Sequence, residues 1–545
     1  MKKIYLVLVL LSITFGVSFG QADTLLVPND FGGSTFGSLQ KFILGDTTAA
    51  GERNNPERYY KLEKNKIYFL DGIFFCDFDL RLIADEVEAG EVPPIVASTA
   101  GADGVIQLIQ FKLFGNGYIK NIVFQMTPPT GNGESNASFF LSGEGKQYEF
   151  DHVRIEWGLW TGMVTEVPVS KVVIRNCYFR NLEHKTNIWN GRGFGFYQEN
   201  PADTVIMQNN TFFNMNSFIF FADISSIPPN YLLFDHNTIV NTMKFPLHSF
   251  WLPDAVVINN LFYNAHSYGE NDQDVVGQDP DGLKYGIICI DEIPSDLIEY
   301  YGIAEGERKY KVLNNGFFYA GDIKDYWASY SLDENPFMNS RVLGMFDDDD
   351  TYPHLEVANT ILEDPGIVNQ GEGMSGMIQW MKNKRDLKAN TYWGWDPDED
   401  KFSVQWPFPE DLTYTNEALK SGAIGGFPVG DLNWWPAEKE EWEKMDPTTG
   451  VKEIAGAGIA QLSISPNPVK DRFTIRYNLP EERDVSITLY NLQGAEVMAV
   501  YHGIQTRGEQ LLEMSVDNSL ASGVYLLRLS DGFDSVTKKV ILQSK

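Results

Sequence analysis

Phe234-Asp235-His236-Asn237-Thr238-Ile239 is one copy of the pattern that decides the fold: an apolar residue, any residue, Asn or His, two residues, then an apolar or aromatic one. Towards the N-terminus it recurs as Met207-Gln208-Asn209-Asn210-Thr211-Phe212, Ile174-Arg175-Asn176-Cys177-Tyr178-Phe179, Phe150-Asp151-His152-Val153-Arg154-Ile155 and Ile119-Lys120-Asn121-Ile122-Val123-Phe124. Towards the C-terminus it recurs as Ile258-Asn259-Asn260-Leu261-Phe262-Tyr263 and Leu313-Asn314-Asn315-Gly316-Phe317-Phe318. The Asn or His therefore falls at Asn121, His152, Asn176, Asn209, His236, Asn260 and Asn315, in steps of 31, 24, 33, 27, 24 and 55 residues. The last step is two ordinary ones, and Gly286-Ile287-Ile288-Cys289-Ile290 is the candidate for the missing strand.

A period in the twenties to thirties, with strand-like segments and no amphipathic helix between them, describes stacked coils of short parallel strands. Successive coils then lie about 4.8 Å apart. An amide at one turn of every coil can bond the amides above and below, so these seven residues are expected to form a structural Asn/His ladder and not a metal or sugar site. The segment 61–340 resembles the right-handed parallel β-helix of pectate-lyase-like proteins. The resemblance implies an all-β solenoid, and the fold serves lyases, glycoside hydrolases and adhesins alike. Residues 21–60 are expected to cap its open end, because exposed strand edges invite aggregation. Residues 341–436 lose the period and are rich in Trp, Pro and acid. They are expected to pack along the β-helix, with a short helix starting near Met374.

The two ends read as addresses. Residues 1–20, MKKIYLVLVLLSITFGVSFG, have a charged start, an apolar run and a small-residue site, as a secretory signal peptide does. No later stretch is long and apolar enough to span a bilayer. Residues 437–461 read as an acidic, then Gly-rich linker. From residue 462 to 545, short alternating strands are separated by turn residues and predict a small Ig-like β-sandwich. Pro466-Asn467-Pro468, Leu489-Tyr490-Asn491-Leu492-Gln493-Gly494, Gly523-Val524-Tyr525-Leu526-Leu527-Arg528-Leu529 and Lys538-Lys539-Val540-Ile541 follow in that order. Together they resemble the C-terminal sorting domain of the type IX secretion system of the Bacteroidetes group. The resemblance implies the type IX machinery as a partner and delivery to the cell surface or medium.

Composition narrows the ligands. Hydrophobic residues make up 43% of the 545 and the net charge is −31, so the chain has a core to bury but no basic surface for nucleic acid. The three cysteines, Cys76, Cys177 and Cys289, lie in apolar stretches and are expected as buried thiols. The fold resemblance implies polysaccharide as the partner. The Arg-x-Pro-Arg signature of lyases on this fold is absent, so no catalytic residue is assigned. Asp151, Glu156, Glu183, Glu199, Asp203, Asp223 and Asp235 are acids on or near the coils from which a hydrolytic pair would have to come. Asp272, Asp274, Asp279 and Asp281, in the long insertion after Asn260, are the candidate calcium ligands. Trp157, Trp160 and Trp189 are candidates for stacking on sugar rings, and Arg192, flanked by Gly191 and Gly193, reads as part of a tight turn. The leading expectation is an exported protein that engages polysaccharide, with cleavage left open; the alternative is a non-enzymatic surface adhesin or structural protein.

Overall fold

Strands of two to seven residues that alternate with sharp turns cannot pair with their sequence neighbours; each pairs instead with the strand one coil away. In the computed structural model this produces three parallel sheets of 11, 9 and 7 strands. The structure describes residues 23–444 and 460–542, except 101–103, 129–132, 197–200, 223–226, 249, 270–279, 389–390, 397–405 and short stretches of the C-terminal unit. The expected signal peptide lies outside the described residues.

Every coil from Tyr118 onward turns from the first sheet to the second at one left-handed residue. These are Asn121 (φ 60°), His152 (51°), Asn176 (55°), Asn209 (53°), His236 (50°), Asn259 (59°), Asn314 (57°) and Asn359 (56°). Asn and His are the side-chain-bearing types enriched in this region, which explains the residue choice without any ligand. The next residue points into the coil: Ile122, Val153, Cys177, Asn210, Asn237, Asn260 and Asn315 are all buried. The amide ladder runs in this second column. Nδ2 donates from Asn210 to Asn237 Oδ1 (2.9 Å), from Asn237 to Asn260 Oδ1 (3.0 Å) and from Asn260 to Asn315 Oδ1 (3.0 Å). Each of these amides also donates to a strand carbonyl, for example Asn237 Nδ2 to Met207 O at 2.9 Å.

The ladder expected from sequence therefore mixes two columns. Asn260 and Asn315 stand in the amide ladder, whereas Asn121, His152, Asn176, Asn209 and His236 stand one residue earlier, at the left-handed position. The doublets Asn209-Asn210, Asn259-Asn260 and Asn314-Asn315 fill both columns with Asn, so the repeat slips by one residue without changing its letters.

A second turn, five residues on, repeats the device with Asn181 (φ 53°), Asn214 (54°), Asn241 (57°) and Asn264 (53°). Their side chains are linked too, Asn241 Nδ2 to Asn214 Oδ1 at 3.2 Å and Asn264 Nδ2 to Asn241 Oδ1 at 3.0 Å. The spacing Asn-x4-Asn at 176/181, 209/214 and 259/264, with His-x4-Asn at 236/241, is the sequence signal for it.

The stack begins before residue 61, since Thr24–Val27 pairs in parallel with Tyr59–Leu62, and it ends after 340 with Leu355–Ala358 on Lys309–Leu313. The helix Ser38–Leu44 buries Leu39 and Ile43 against the end of the core. Gly286–Ile290 fills core space with Ile287, Ile288 and Ile290 but forms no strand; Ile288 N–H bonds Phe337 O at 3.0 Å instead. The tail after residue 358 lies over the outer face of the nine-stranded sheet. Its helix Gly373–Arg385 buries Met377, Trp380 and Met381. Residues 437–444, read from sequence as the start of the linker, lie in the helix Pro436–Lys444, because Lys439 and Trp442 find partners on the coils. The C-terminal unit is separate in its pairing: antiparallel sheets of three and four strands enclose Phe473, Ile475, Ile487, Leu527 and Leu529. Its first strand, Ala460–Ser465, is one more than the turn residues predict.

Candidate functional site

The tail grips the coils through the same turn side chains. Asn259 Oδ1 accepts from Ile424 N–H (2.9 Å), Asn314 Nδ2 donates to Gly422 O (2.7 Å), and Asn209 Oδ1 accepts from Leu432 N–H (3.3 Å). On the other side of the sheet, Glu183 accepts the N–H groups of Trp393 and Gly394, both at 2.8 Å. Gly394 is required there, since a Cβ would sit 2.7 Å from the Glu183 carboxylate and from the Trp157 ring.

Where the tail stops, a cleft of about 470 Å³ remains over the outward column Val123–Arg154–Tyr178–Thr211. One wall is the left-handed column Asn121, His152 and Asn176; the other is Trp406, Pro407, Phe408 and Trp434 from the tail. Asp85 and Glu86 stand at the rim. Trp406, Phe408 and Trp434 are half-buried, so their rings are partly open to solvent.

His152 is the polar centre of the cleft. Its Nδ1 lies 2.7 Å from Asp151 Oδ1, and its side chain is 40% exposed. Burial alone would raise the Asp151 carboxyl, but hydrogen bonds from His152 and Asn176 and the Lys120 ammonium hold it well below its ordinary value of 3.8. Asp151 therefore stays ionised and fixes the ring with Nδ1 inward. At the opposite wall Asp431 accepts from Thr211 Oγ1 (2.7 Å) and Asn433 N–H (2.9 Å), and burial pushes its carboxyl up.

Beneath the cleft lies a buried charge cluster. Glu156 Oε1 meets Arg154 Nη2 at 2.5 Å and Arg180 Nη1 at 3.1 Å; Glu410, delivered by the tail, meets Arg180 Nε at 3.0 Å and accepts from Tyr178 OH at 2.7 Å. The Phe408 ring lies over the Arg154 guanidinium at 3.1 Å. Two cations and two anions balance, as burial demands.

Of the acids named from sequence, Asp151 lines up with His152 and Glu156 lies just below, while Glu183 anchors the tail and Asp203 is paired at the surface with Asn230. Asp235 forms a second, covered Asp–His pair. Glu199 and Asp223 lie outside the described residues, as do the calcium candidates Asp272, Asp274 and Asp279. Asp281 is exposed on a turn, and among the described residues no three His, Cys, Asp or Glu side chains group to hold a metal ion. Trp157, Trp160 and Trp189 do not line the cleft; Trp189 packs on Phe218. Arg192 Nε donates to Trp189 O at 2.7 Å beside Gly191 (φ 84°), a turn contact. All three cysteines are buried thiols. Trp406, Phe408, Asp431 and Trp434 were invisible as site residues in sequence because they reach the coils across more than 200 residues without any repeat.

Among protein-family models, residues 463–543 match the secretion system C-terminal sorting domain. The C-terminal unit is a type IX secretion sorting domain. The protein is thus addressed to the cell surface or the medium, and the sorting domain engages the secretion machinery. No described helix is long and apolar enough to cross a membrane. A search of curated proteins gave no match to the chain.

Proposed function

We propose that this exported β-helix protein holds a polysaccharide chain in the cleft beside His152. The observation that carries the reading is the wall of Trp406, Phe408 and Trp434 facing Asn121, His152 and Asn176 across one groove. Sugar rings offer apolar faces and polar edges, and a cleft with half-open aromatic rings on one side and amides on the other matches both. The groove follows the stacking direction, and its four-coil column is about 14 Å long at the coil spacing. Export to the surface places it where such polymers occur.

The test is affinity electrophoresis of the mature full chain through a panel of plant, algal and bacterial polysaccharides. At least one should retard it, and Trp406→Ala should weaken retardation by about tenfold through loss of one stacking face. A chain that migrates unretarded through every polymer would remove the reading.

A cleavage reading is favoured by one feature, the Asp151–His152 pair, which orients an imidazole to accept a proton on Nε2. Release of new reducing or unsaturated ends, abolished in His152→Ala, is its expected signature. Binding without release assigns the protein to the adhesin class.

A further inference from the structure

Glu410 comes from the tail, is 2% exposed and does not line the cleft, so a ligand held there does not touch it. Its place follows from charge. The neighbouring strands Arg154–Glu156 and Tyr178–Arg180 pair with Arg154 opposite Tyr178 and Glu156 opposite Arg180, which sets two guanidiniums beside one carboxylate on the outer face. Facing water, the surplus cation would be hydrated. Under the tail all three groups are closed off, Arg154 at 4%, Arg180 at 3% and Glu156 at 1% exposure. A surplus charge without water is strongly unfavourable, so the segment that covers these strands has to bring an anion. Glu410 is that anion, 3.0 Å from Arg180 Nε and accepting from Tyr178 OH at 2.7 Å.

The aromatic wall of the cleft is built on the same run, Trp406-Pro407-Phe408-Pro409-Glu410. Its two prolines fix their own φ and restrict the residue before each, so the run is stiff and carboxylate and rings are placed together. The Phe408 ring lies over the Arg154 guanidinium at 3.1 Å, packs on the Tyr178 ring at 5.0 Å and carries the Trp406 ring at 5.0 Å. These rings face His152 across the groove. Resting on the polysaccharide reading above, we infer that Glu410 is a positioning residue: by balancing the charge of Arg180 it sets the aromatic wall against His152, and with it the hold of the cleft on sugar rings.

Two measurements on the mature full chain test this. One is the rate of His152 acylation by diethylpyrocarbonate without ligand; the other is retardation in gels of xylan, laminarin, galactomannan, alginate and polygalacturonate. Glu410→Gln keeps the size and an acceptor for Tyr178 but leaves the second guanidinium unbalanced. It should speed His152 acylation by about threefold or more and weaken retardation by about tenfold. Adding Arg180→Met restores one cation to one anion and should return both readouts to within about twofold of the unaltered chain. A side chain that only packed, or only bonded Tyr178, would not be rescued by removing a second one. Both readouts unchanged in Glu410→Gln overturn the inference and leave the cleft reading standing. So does a double variant that is as impaired as the single one or does not fold. Retardation by no polymer removes the polysaccharide reading, while His152 acylation still decides the role of Glu410. If Glu410→Gln alone does not fold, a folded double variant with His152 acylated at its original rate supports the charge balance.

Discussion

Two turns of this solenoid carry the same chemistry and end with different fates. At Asp151–His152 and Asp235–His236 the histidine is left-handed (φ 51° and 50°), and its Nδ1 sits 2.7 and 2.6 Å from the aspartate. An Asn of the next coil donates to the same carboxylate oxygen, Asn176 and Asn259, both at 2.8 Å. The second oxygen is held by Lys120 at 3.0 Å in one turn and Gln208 at 2.8 Å in the other. Besides this exchange of Lys for Gln, the cover differs. The ring of Trp442, from the helix Pro436–Lys444, lies 5.5 Å from His236, whose side chain is 1% exposed, whereas His152 opens into the cleft. The Asp–His pair therefore belongs to the repeat, and the tail decides which copy becomes a site.

The largest effect that sharpens this contrast is expected at the covered turn. Asp235→Ala strands His236, Gln208 and Asn259 in the interior and should cost about 3–4 kcal/mol in urea unfolding of the body. Asp151→Ala, beside solvent, should cost only about 1–2 kcal/mol; equal losses would erase the distinction. Next, Asn237→Leu cuts the amide ladder on both sides and should cost about 2–3 kcal/mol, more than Asn209→Leu in the left-handed column. The order reversed would return the ladder to the other column.

Acid provides a third probe. Both carboxyls are held below their ordinary value of 3.8, against burial, by their histidine and amide partners. A depressed folded-state value means the stabilisation is full above the unfolded value and is lost as pH falls through the folded one. The stability gaps between the unaltered chain and the Asp151→Asn and Asp235→Asn variants should thus persist at neutral pH and close below about pH 4. Gaps constant down to strong acid would mean the charges contribute nothing. The smallest expected effect is from Trp442→Ala, at about 1 kcal/mol, but it should open His236 to acylation by diethylpyrocarbonate.

The fold was legible because left-handed turns restrict residue type, so Asn and His mark every coil from Tyr118 onward. The exact column was not, since Asn209-Asn210, Asn259-Asn260 and Asn314-Asn315 look alike in either register. The sorting domain was legible from four ordered motifs, and residues 463–543 match it. Asp151–His152 was legible as part of the repeat, where it was read as structural and not as one wall of a cleft. The cleft itself was not legible, because Trp406, Phe408, Asp431 and Trp434 arrive from an aperiodic tail whose docking depends on tertiary contacts such as Asp431 with Thr211.

The central claim, that the open turn is the binding site and the covered turn is not, is tested most directly by histidine acylation with and without saturating oligosaccharide, read by mass spectrometry. The account predicts that ligand slows modification of His152 by about tenfold, leaves exposed His354 unchanged, and finds His236 unreactive throughout. A ligand that binds while His152 reacts at its unliganded rate would contradict it.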